Sequence, residues 1–425
     1  MKKGVMFVIV AMVMVLGGCS VKSEMVSQVR ELCAQLDTSS DKQATYNEWL
    51  KTHAVPVVEG EKMSFLFWDE GATRVILETA LVKSSDHKVA MQRYKNTPLF
   101  VATLPLREQA VVDYSFIRYD EKTPNGKRVL DKTHPFVAYT KPIMSRWMMP
   151  GVKKGRLIIT NYKPANGLVS RRIFIYLPWN YTLQTNENYP VLFMHDGQNL
   201  WDSQLANFGG WKVDTTLDRL IADEKIPPIV VVGIENSSAR AEEYVGFSAY
   251  YKWSEPYDTN EQKRVIEYSQ KYLDFVVNDL KPWIEKNYRV RKNDVVVAGS
   301  SFGAGVSLYI GLSRPDVFRA IGAFSFGNYS AKDVNRGIRR VLQVQPYLSD
   351  RLMPPDGKHK IYLDCGGRGI DTIFVEAARK LHQDLLKKGW KEGESYLYVE
   401  DPSADHNEMA WAKRFERFVL FVWQK

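Results

Sequence analysis

Cysteine is scarce: the chain has three in 425 residues, and none stands at a metal-ligand spacing. A disulfide framework is thereby excluded, and neither a metal nor an organic cofactor is expected. Long blocks of one charge are also missing. The formal net charge is +9, yet Lys and Arg are interleaved with acids, as in EQKRVIEYSQKYLDFVVNDLK (261–281). Such a pattern is a solvated basic surface rather than a nucleic-acid-binding tract, and no nucleic-acid motif accompanies it. Internal repeats and low-complexity segments are absent, and past the first twenty residues no apolar run is long enough to span a bilayer. What remains is ordinary globular composition, 45% hydrophobic and 25% charged, in a length that suits two domains.

The opening, MKKGVMFVIVAMVMVLGGCS (1–20), places Lys2 and Lys3 before an apolar run from Val5 to Leu16. The run is too short for a stable anchor and has the form of a secretory signal. Leu16-Gly17-Gly18-Cys19 resembles the bacterial lipobox. That resemblance implies lipidation at Cys19 and an exported protein tethered to a bacterial membrane, on its periplasmic or cell-surface face. Cys33 and Cys365 are then expected as unpaired, mostly buried thiols.

Residues 1–19 are therefore read as the signal with its lipidation cysteine, and 20–58 as a tether with a short helix near VSQVRELCAQL. From 59 to 145, short β-type runs are divided by turn residues: KMSFLFWDEG, TRVILETALV, PLFVATLPL, AVVDYSFIRYD and finally HPFVAYTKPI. That spacing predicts a small Ig-like β-sandwich. From 150 to 425, strands such as YPVLFMHDG, PPIVVVGIE, DVVVAG and HKIYLDCGG alternate with helices. The longest, VIEYSQKYLDFVVNDLKPWIEKNY, is expected to kink at Pro282. This alternation predicts an α/β domain with a doubly wound, mostly parallel sheet, whose chemistry lies at the C-terminal edge of the strands.

One such edge stands out. In VVVAGSSFGAGVSLYIGL (295–312), a buried β-branched run ends at Gly299-Ser300-Ser301-Phe302-Gly303 and a small, apolar helix follows. The G-x-S-x-G pattern lets strand and helix approach closely while a strained turn exposes the serine hydroxyl. A near-copy, A-F-S-F-G around Ser325, runs into the polar NYSAKDVN and reads as a plain strand end. Ser301 is thus the candidate nucleophile.

A neutral serine needs a base, and the base needs an orienting carboxylate. Of seven histidines, only His195 and His406 follow strands at the correct edge. The chain order Ser…acid…His favours His406, in EDPSADHNEMAW. His195 reads as a buried, hydrogen-bonded structural residue. IYLDCGGRGID offers Asp371 as the acid, with Asp364 as the alternative. Oxyanion donors are expected from the backbone N–H of Phe302 and from MHDGQNLWD (194–202), where Gln198 follows Gly197.

Together VLFMHDGQNLWD, AGSSFGAG and DHNEMAWAKRFERFVLF resemble the esterase family of α/β-hydrolases that includes enterochelin, feruloyl and acetyl-xylan esterases and mycolyltransferases. The resemblance spans about 155–425. It implies Ser301 as nucleophile, His406 as base, an acid after IYLDCGG, and oxyanion donors at Phe302 and in the H-D-G-Q-N loop. His195 and Asp196 are read as shaping this loop beside the substrate, and ARAEEYVGFS resembles a family segment beside the active site, which implies Arg240 and Glu243 as further shaping residues. GGRGID departs from the family's Gly-Thr-x-Asp/Glu acid loop. The segment 59–145 resembles the early-set, glycogen-binding-type modules that precede such esterases, through FLFWDEGATRVIL and VVDYSFIRYD.

The function expected is serine ester hydrolysis of acylated polysaccharide (feruloyl or acetyl esters) or of siderophore esters. Acyl transfer through the same acyl-enzyme and a non-catalytic glycan-binding lipoprotein are the alternatives.

Overall fold

The computed structural model describes residues 25–106, 110–245, 251–252, 259–326, 343–344, 352 and 355–424. Cys19, with the rest of the signal, lies outside them. Two compact units divide the chain: residues 1–135 with 144–149, and residues 136–143 with 150–425.

The first unit opens with helices α1 (Ser27–Thr38) and α2 (Lys42–Leu50). Its strands are β1 (Val57–Glu59), β2 (Lys62–Trp68), β3 (Arg74–Thr79), β4 (Lys88–Ala90), β5 (Gln92–Arg93), β6 (Leu99–Pro105), β7 (Val111–Tyr119) and β8 (Lys127–Val129). They form one antiparallel sheet in the order β1-β2-β6-β5 and a second built on β7, which pairs with β3 and β8. Met63, Phe65, Phe100, Val75, Leu77, Tyr114 and Phe116 form one apolar cluster drawn from both sheets. The opposite face of the first sheet, through Leu66, Leu99 and Val101, joins Val29, Leu32, Leu36, Tyr46 and Trp49 of the helices.

The short helix expected near VSQVRELCAQL is α1, and a second helix, α2, stands where only tether was expected. Residues 27–50 are two packed helices, because α1 carries an apolar stripe at Val29, Leu32, Cys33 and Leu36 that must be buried. The aromatics Tyr94 and Tyr114 are core residues, and Trp68 stacks on Tyr46 at 4.8 Å.

HPFVAYTKPI does not supply the last strand of this unit. Its β9 (Val137–Ala138) pairs with β11 (Arg156–Tyr162) of the second unit, and Tyr139 packs edge-on against Phe174. The last strand of this unit is instead β10 (Met144–Met148), which also pairs with β7.

The second unit adds β12 (Arg171–Leu177), β13 (Tyr189–His195), β14 (Val230–Ile234), β16 (Val290–Ser300), β17 (Ala320–Phe324), β19 (Lys360–Gly366) and β20 (Tyr396–Asp401). A separate two-residue pair joins β15 (Tyr251–Lys252) to β18 (Gln343–Val344). The main sheet runs β20-β19-β17-β16-β13-β14-β12-β11-β9. The six strands from β20 to β14 are all parallel, and β12, β11 and β9 continue it antiparallel.

Its helices are α3 (Val213–Ala222), α4 (Arg240–Val245), α5 (Thr259–Asp274), α6 (Lys281–Asn287), α7 (Phe302–Ser313), α8 (Val375–Lys387) and α9 (Glu408–Trp423). The β16 run Val295–Ala298 is wholly buried because alternate residues serve opposite faces. Val295 and Val297 join one core cluster, and Val296 and Ala298 the other. Each such valine contributes about 1.5–3 kcal/mol by burial.

The kink expected at Pro282 takes a different form. A π-helical stretch, Phe275–Leu280, lies between α5 and α6, and the Lys281 N–H reaches back five residues to Val276 O. The wider turn precedes a proline that has no N–H to offer.

Candidate active site

Parallel strands put all their C-terminal ends on one edge, so residues far apart in sequence meet there. Ser301 follows β16 with φ 56° and ψ −122°, a region that costs a non-glycine residue about 1–3 kcal/mol. Its N–H donates to Phe324 O at 3.0 Å, which clamps the turn to the neighbouring strand. A Cβ added at Gly299 would lie 2.7 Å from the Gly303 carbonyl carbon. Only glycine permits that approach of strand to helix.

α7 starts at Phe302. The first bonds to the turn come from Ala304 and Gly305, whose N–H groups donate to Ser301 O at 3.0 and 3.3 Å. The earlier N–H groups, of Phe302 and Gly303, have no acceptor within the helix, and the helix dipole adds positive potential there. An anion forming at Ser301 would face both.

His406 stands after β20, just before α9. Its Nδ1 lies 2.5 Å from Asp371 Oδ1, and the Asp371 side chain is fully buried. A carboxylate at that distance fixes the proton on Nδ1 and leaves Nε2 as the acceptor. The ring sits between Phe374, with centroids 5.3 Å apart, and Trp411, edge-on at 5.0 Å. Asp371 itself is held in a 3₁₀ turn, Gly369–Ile373, after β19, and its Oδ2 accepts the Gly366 N–H at 2.8 Å.

Asp364, the alternative acid, is differently engaged. It accepts Arg414 Nε at 2.9 Å and Nη2 at 3.1 Å, the Tyr362 hydroxyl at 2.9 Å and the Ser325 N–H at 2.8 Å. Burial raises its carboxyl from the usual range, against the pull of Arg414.

The loop after β13 borders the serine turn: a Cβ on Gly303 would meet His195 Cβ at 3.3 Å and Asp196 Oδ2 at 3.4 Å. Asp196 adopts the left-handed conformation, φ 55° and ψ 46°, at the start of the turn Gly197–Asn199. Arg240 grips it with two N–H bonds of 2.7 and 2.8 Å, and Asn236 Nδ2 adds a third at 2.6 Å. Burial opposes the Arg240 charge, but Asp196 more than offsets it and holds the guanidinium above its ordinary value. The same guanidinium lies 5.3 Å from the centroid of the Phe302 ring. Gln198 Oε1 accepts the Asn236 N–H at 3.3 Å, tying the turn to the end of β14.

Two residues read as shaping the substrate site lie behind it. Glu243 is buried and bonded at both oxygens to Arg171, at 2.7 and 2.8 Å, so it presents nothing to a ligand. His195 is equally buried, with Nδ1 2.9 Å from the Tyr272 hydroxyl. Burial pushes its imidazole down to about 3, so it is neutral.

Several site residues were not legible beforehand: Asn199, Asn236, Ser325, Glu408, Trp411 and Arg414. Ser325 alone carried a signal, the recurrence of the small-residue turn around it. Cys33 and Cys365 are free and buried. Among the described residues no cluster of His, Cys, Asp or Glu could hold a metal ion.

Six parallel strands with their polar ends gathered at one edge make the second unit an α/β-hydrolase. The chain belongs to the family described as "Putative esterase", whose model matches residues 169–422. It is a carboxylic ester hydrolase.

An uncharacterized protein, YbbA, of Bacillus subtilis is 22% identical over 267 residues, covering 60% of this chain and 94% of that protein. An endo-1,4-β-xylanase/feruloyl esterase of Xylanibacter ruminicola is 27% identical over 254 residues, covering 58% of this chain and 28% of that one. The crystal structure of the enterobactin esterase of Shigella flexneri with enterobactin is 18% identical and covers 88% of this chain and 97% of that one, with a TM-score of 0.47.

Proposed function

We propose that the chain hydrolyses esters through an acyl-enzyme formed on Ser301. His406 Nε2 takes the hydroxyl proton as Oγ bonds to the carbonyl carbon, and the same proton then goes to the departing alkoxide. Asp371 orients the imidazole. The backbone N–H groups of Phe302 and Gln198 stabilise the oxyanion, a contribution of about 3–4 kcal/mol per donor in enzymes of this type. Water, deprotonated by the same histidine, releases the acid. The observation that carries this reading is the 2.5 Å His406–Asp371 contact at the edge where the strained serine turn stands.

For the substrate we favour acylated polysaccharide, with feruloyl esters ahead of acetyl esters, and siderophore esters after them. The support is the likeness over 254 residues to a protein named as a xylanase and feruloyl esterase. Export and a lipid anchor at Cys19 complete the proposal, resting on the form of residues 1–19. Palmitate labelling that is lost in Cys19→Ala tests the anchor.

The test of the chemistry is hydrolysis of p-nitrophenyl acetate and butyrate by the form lacking residues 1–19, beside Ser301→Ala. Turnover and fluorophosphonate labelling at Ser301, both lost in the variant, are expected, followed by activity on a feruloyl, acetyl-xylan and siderophore ester panel. A folded protein without turnover or labelling overturns the proposal and favours glycan binding. Product that appears only when an alcohol acceptor is added favours acyl transfer.

A further inference from the structure

Ser325 ends β17, one strand from the nucleophile, with φ 46° and a fully buried side chain. Its Oγ receives the Trp411 Nε1–H at 2.8 Å and an Arg414 Nη2–H at 3.1 Å. Neither indole nor guanidinium nitrogen can accept a hydrogen bond. Both lone pairs of the hydroxyl are therefore occupied, and its one proton has a single destination, Asp371 Oδ2 at 2.6 Å. The Gly366 N–H reaches the same oxygen. Among the described residues, Oδ1 is left for His406 alone.

The donor that orients Ser325 is itself fixed. Arg414 is locked by two bonds to the fully buried Asp364, which also accepts the Ser325 N–H. Arg414 is ion-paired with Asp364 and also attracted by the Asp371 carboxylate. Asp364 thus places both ends of Ser325, the N–H directly and the hydroxyl through Arg414.

We propose that Ser325 is a positioning residue for ester hydrolysis, its hydroxyl aimed by Trp411 and the Arg414–Asp364 pair so that Asp371 is held in one rotamer, with one oxygen for the base. The inference rests on the Ser301–His406–Asp371 reading above. A carboxylate with one oxygen satisfied by two donors is less basic towards the Nδ1 proton. The imidazolium formed when Ser301 loses its proton is then oriented without surrendering Nδ1–H. The proton on Nε2 stays available for the leaving alkoxide. Among the described residues, the titratable groups around the pair include Cys365 on β19 and Glu408 on α9, both driven towards their neutral forms by burial, and Asp405, whose carboxylate borders the turn at Gly369.

The test is the pH profile of kcat/KM for the form lacking residues 1–19 on p-nitrophenyl acetate, in wild type, Ser325→Ala and Ser325→Cys. Loss of the donor makes Asp371 more basic and favours the imidazolium, so the acid limb should move to higher pH by about half a unit in Ser325→Ala. kcat should fall about ten- to a hundredfold with KM within about twofold. Ser325→Cys, which keeps a weak S–H donor, should recover part of both. If Ser325→Ala does not fold, Ser325→Gly, which suits φ 46°, replaces it with the same readouts.

A wild-type kcat and acid limb in Ser325→Ala overturns the inference. So does an equal loss in the alanine and cysteine variants with no shift of the limb, which marks a merely structural serine. In both cases Ser301→Ala remains inactive and unlabelled by fluorophosphonate. Activity or labelling surviving in Ser301→Ala instead overturns the triad on which the inference stands.

Discussion

Asn199 donates its side-chain amide to Glu408 Oε1 across 2.9 Å, joining the turn after β13 to the first residue of α9. The turn Gly197–Asn199 and the segment carrying His406 are thereby one assembly. Glu408→Ala leaves the Asn199 amide without an acceptor, and kcat/KM on p-nitrophenyl acetate should fall about tenfold. Glu408→Gln keeps an oxygen in place and should stay within about threefold of wild type. Equal losses in both variants would show that the carboxylate, rather than the link, is what matters.

His195 predicts an acid sensitivity of the fold. Burial lowers its imidazole from 6.5 to about 3, so the folded state holds the neutral form. That contribution is complete above pH 6.5 and is lost as pH falls from 6.5 towards 3. At pH 5 the loss is about 2 kcal/mol. Urea unfolding at pH 7.5 and pH 5 should show this decrement in wild type and a smaller one in His195→Gln; identical decrements remove His195 as its source.

The Ser301 backbone stores strain at the turn between β16 and α7. Glycine adopts φ 56° freely, whereas alanine does not. Ser301→Gly and Ser301→Ala should both be inactive, with the glycine variant about 1 kcal/mol more stable. Thermal unfolding followed by circular dichroism reads the difference, and an alanine variant at least as stable as the glycine variant refutes the strain.

Arg171 and Glu243 are both buried and satisfied by each other. Arg171→Met strands a carboxylate in the core and should cost about 3–5 kcal/mol. The double variant Arg171→Met/Glu243→Leu should recover most of that loss. Urea midpoints for the two singles and the double complete the cycle, and a double variant as weak as the worse single contradicts the pairing.

Much of the second unit was readable because its signals are local. A β-branched run, a glycine bracket and a small-residue helix lie within eighteen consecutive residues around Ser301. The position of His406 after the last strand follows from chain order alone. Ser325 stands out only as a near-copy of the serine turn and Asp364 only as an alternative acid, and nothing links either to Arg414. The three are 39 to 89 residues apart in sequence and look like an ordinary strand end, a strand residue and a basic helix residue. The second N-terminal helix was missed because only Tyr46 and Trp49 of KQATYNEWL face the core, too sparse a stripe to read. HPFVAYTKPI was assigned to the smaller unit because a strand's period cannot say which sheet it will join.

In the mechanism proposed above, helix α9 also decides when the protein can become active. His406 is held at its foot, and Trp411 and Arg414 project from it onto the serine that aims Asp371. In that mechanism Ser301 is a hydroxyl without a base until the helix docks, even if the strand and turn that carry it are already formed. A nascent or locally unfolded copy is therefore chemically silent, and activity itself reports that the last helix has closed against the sheet.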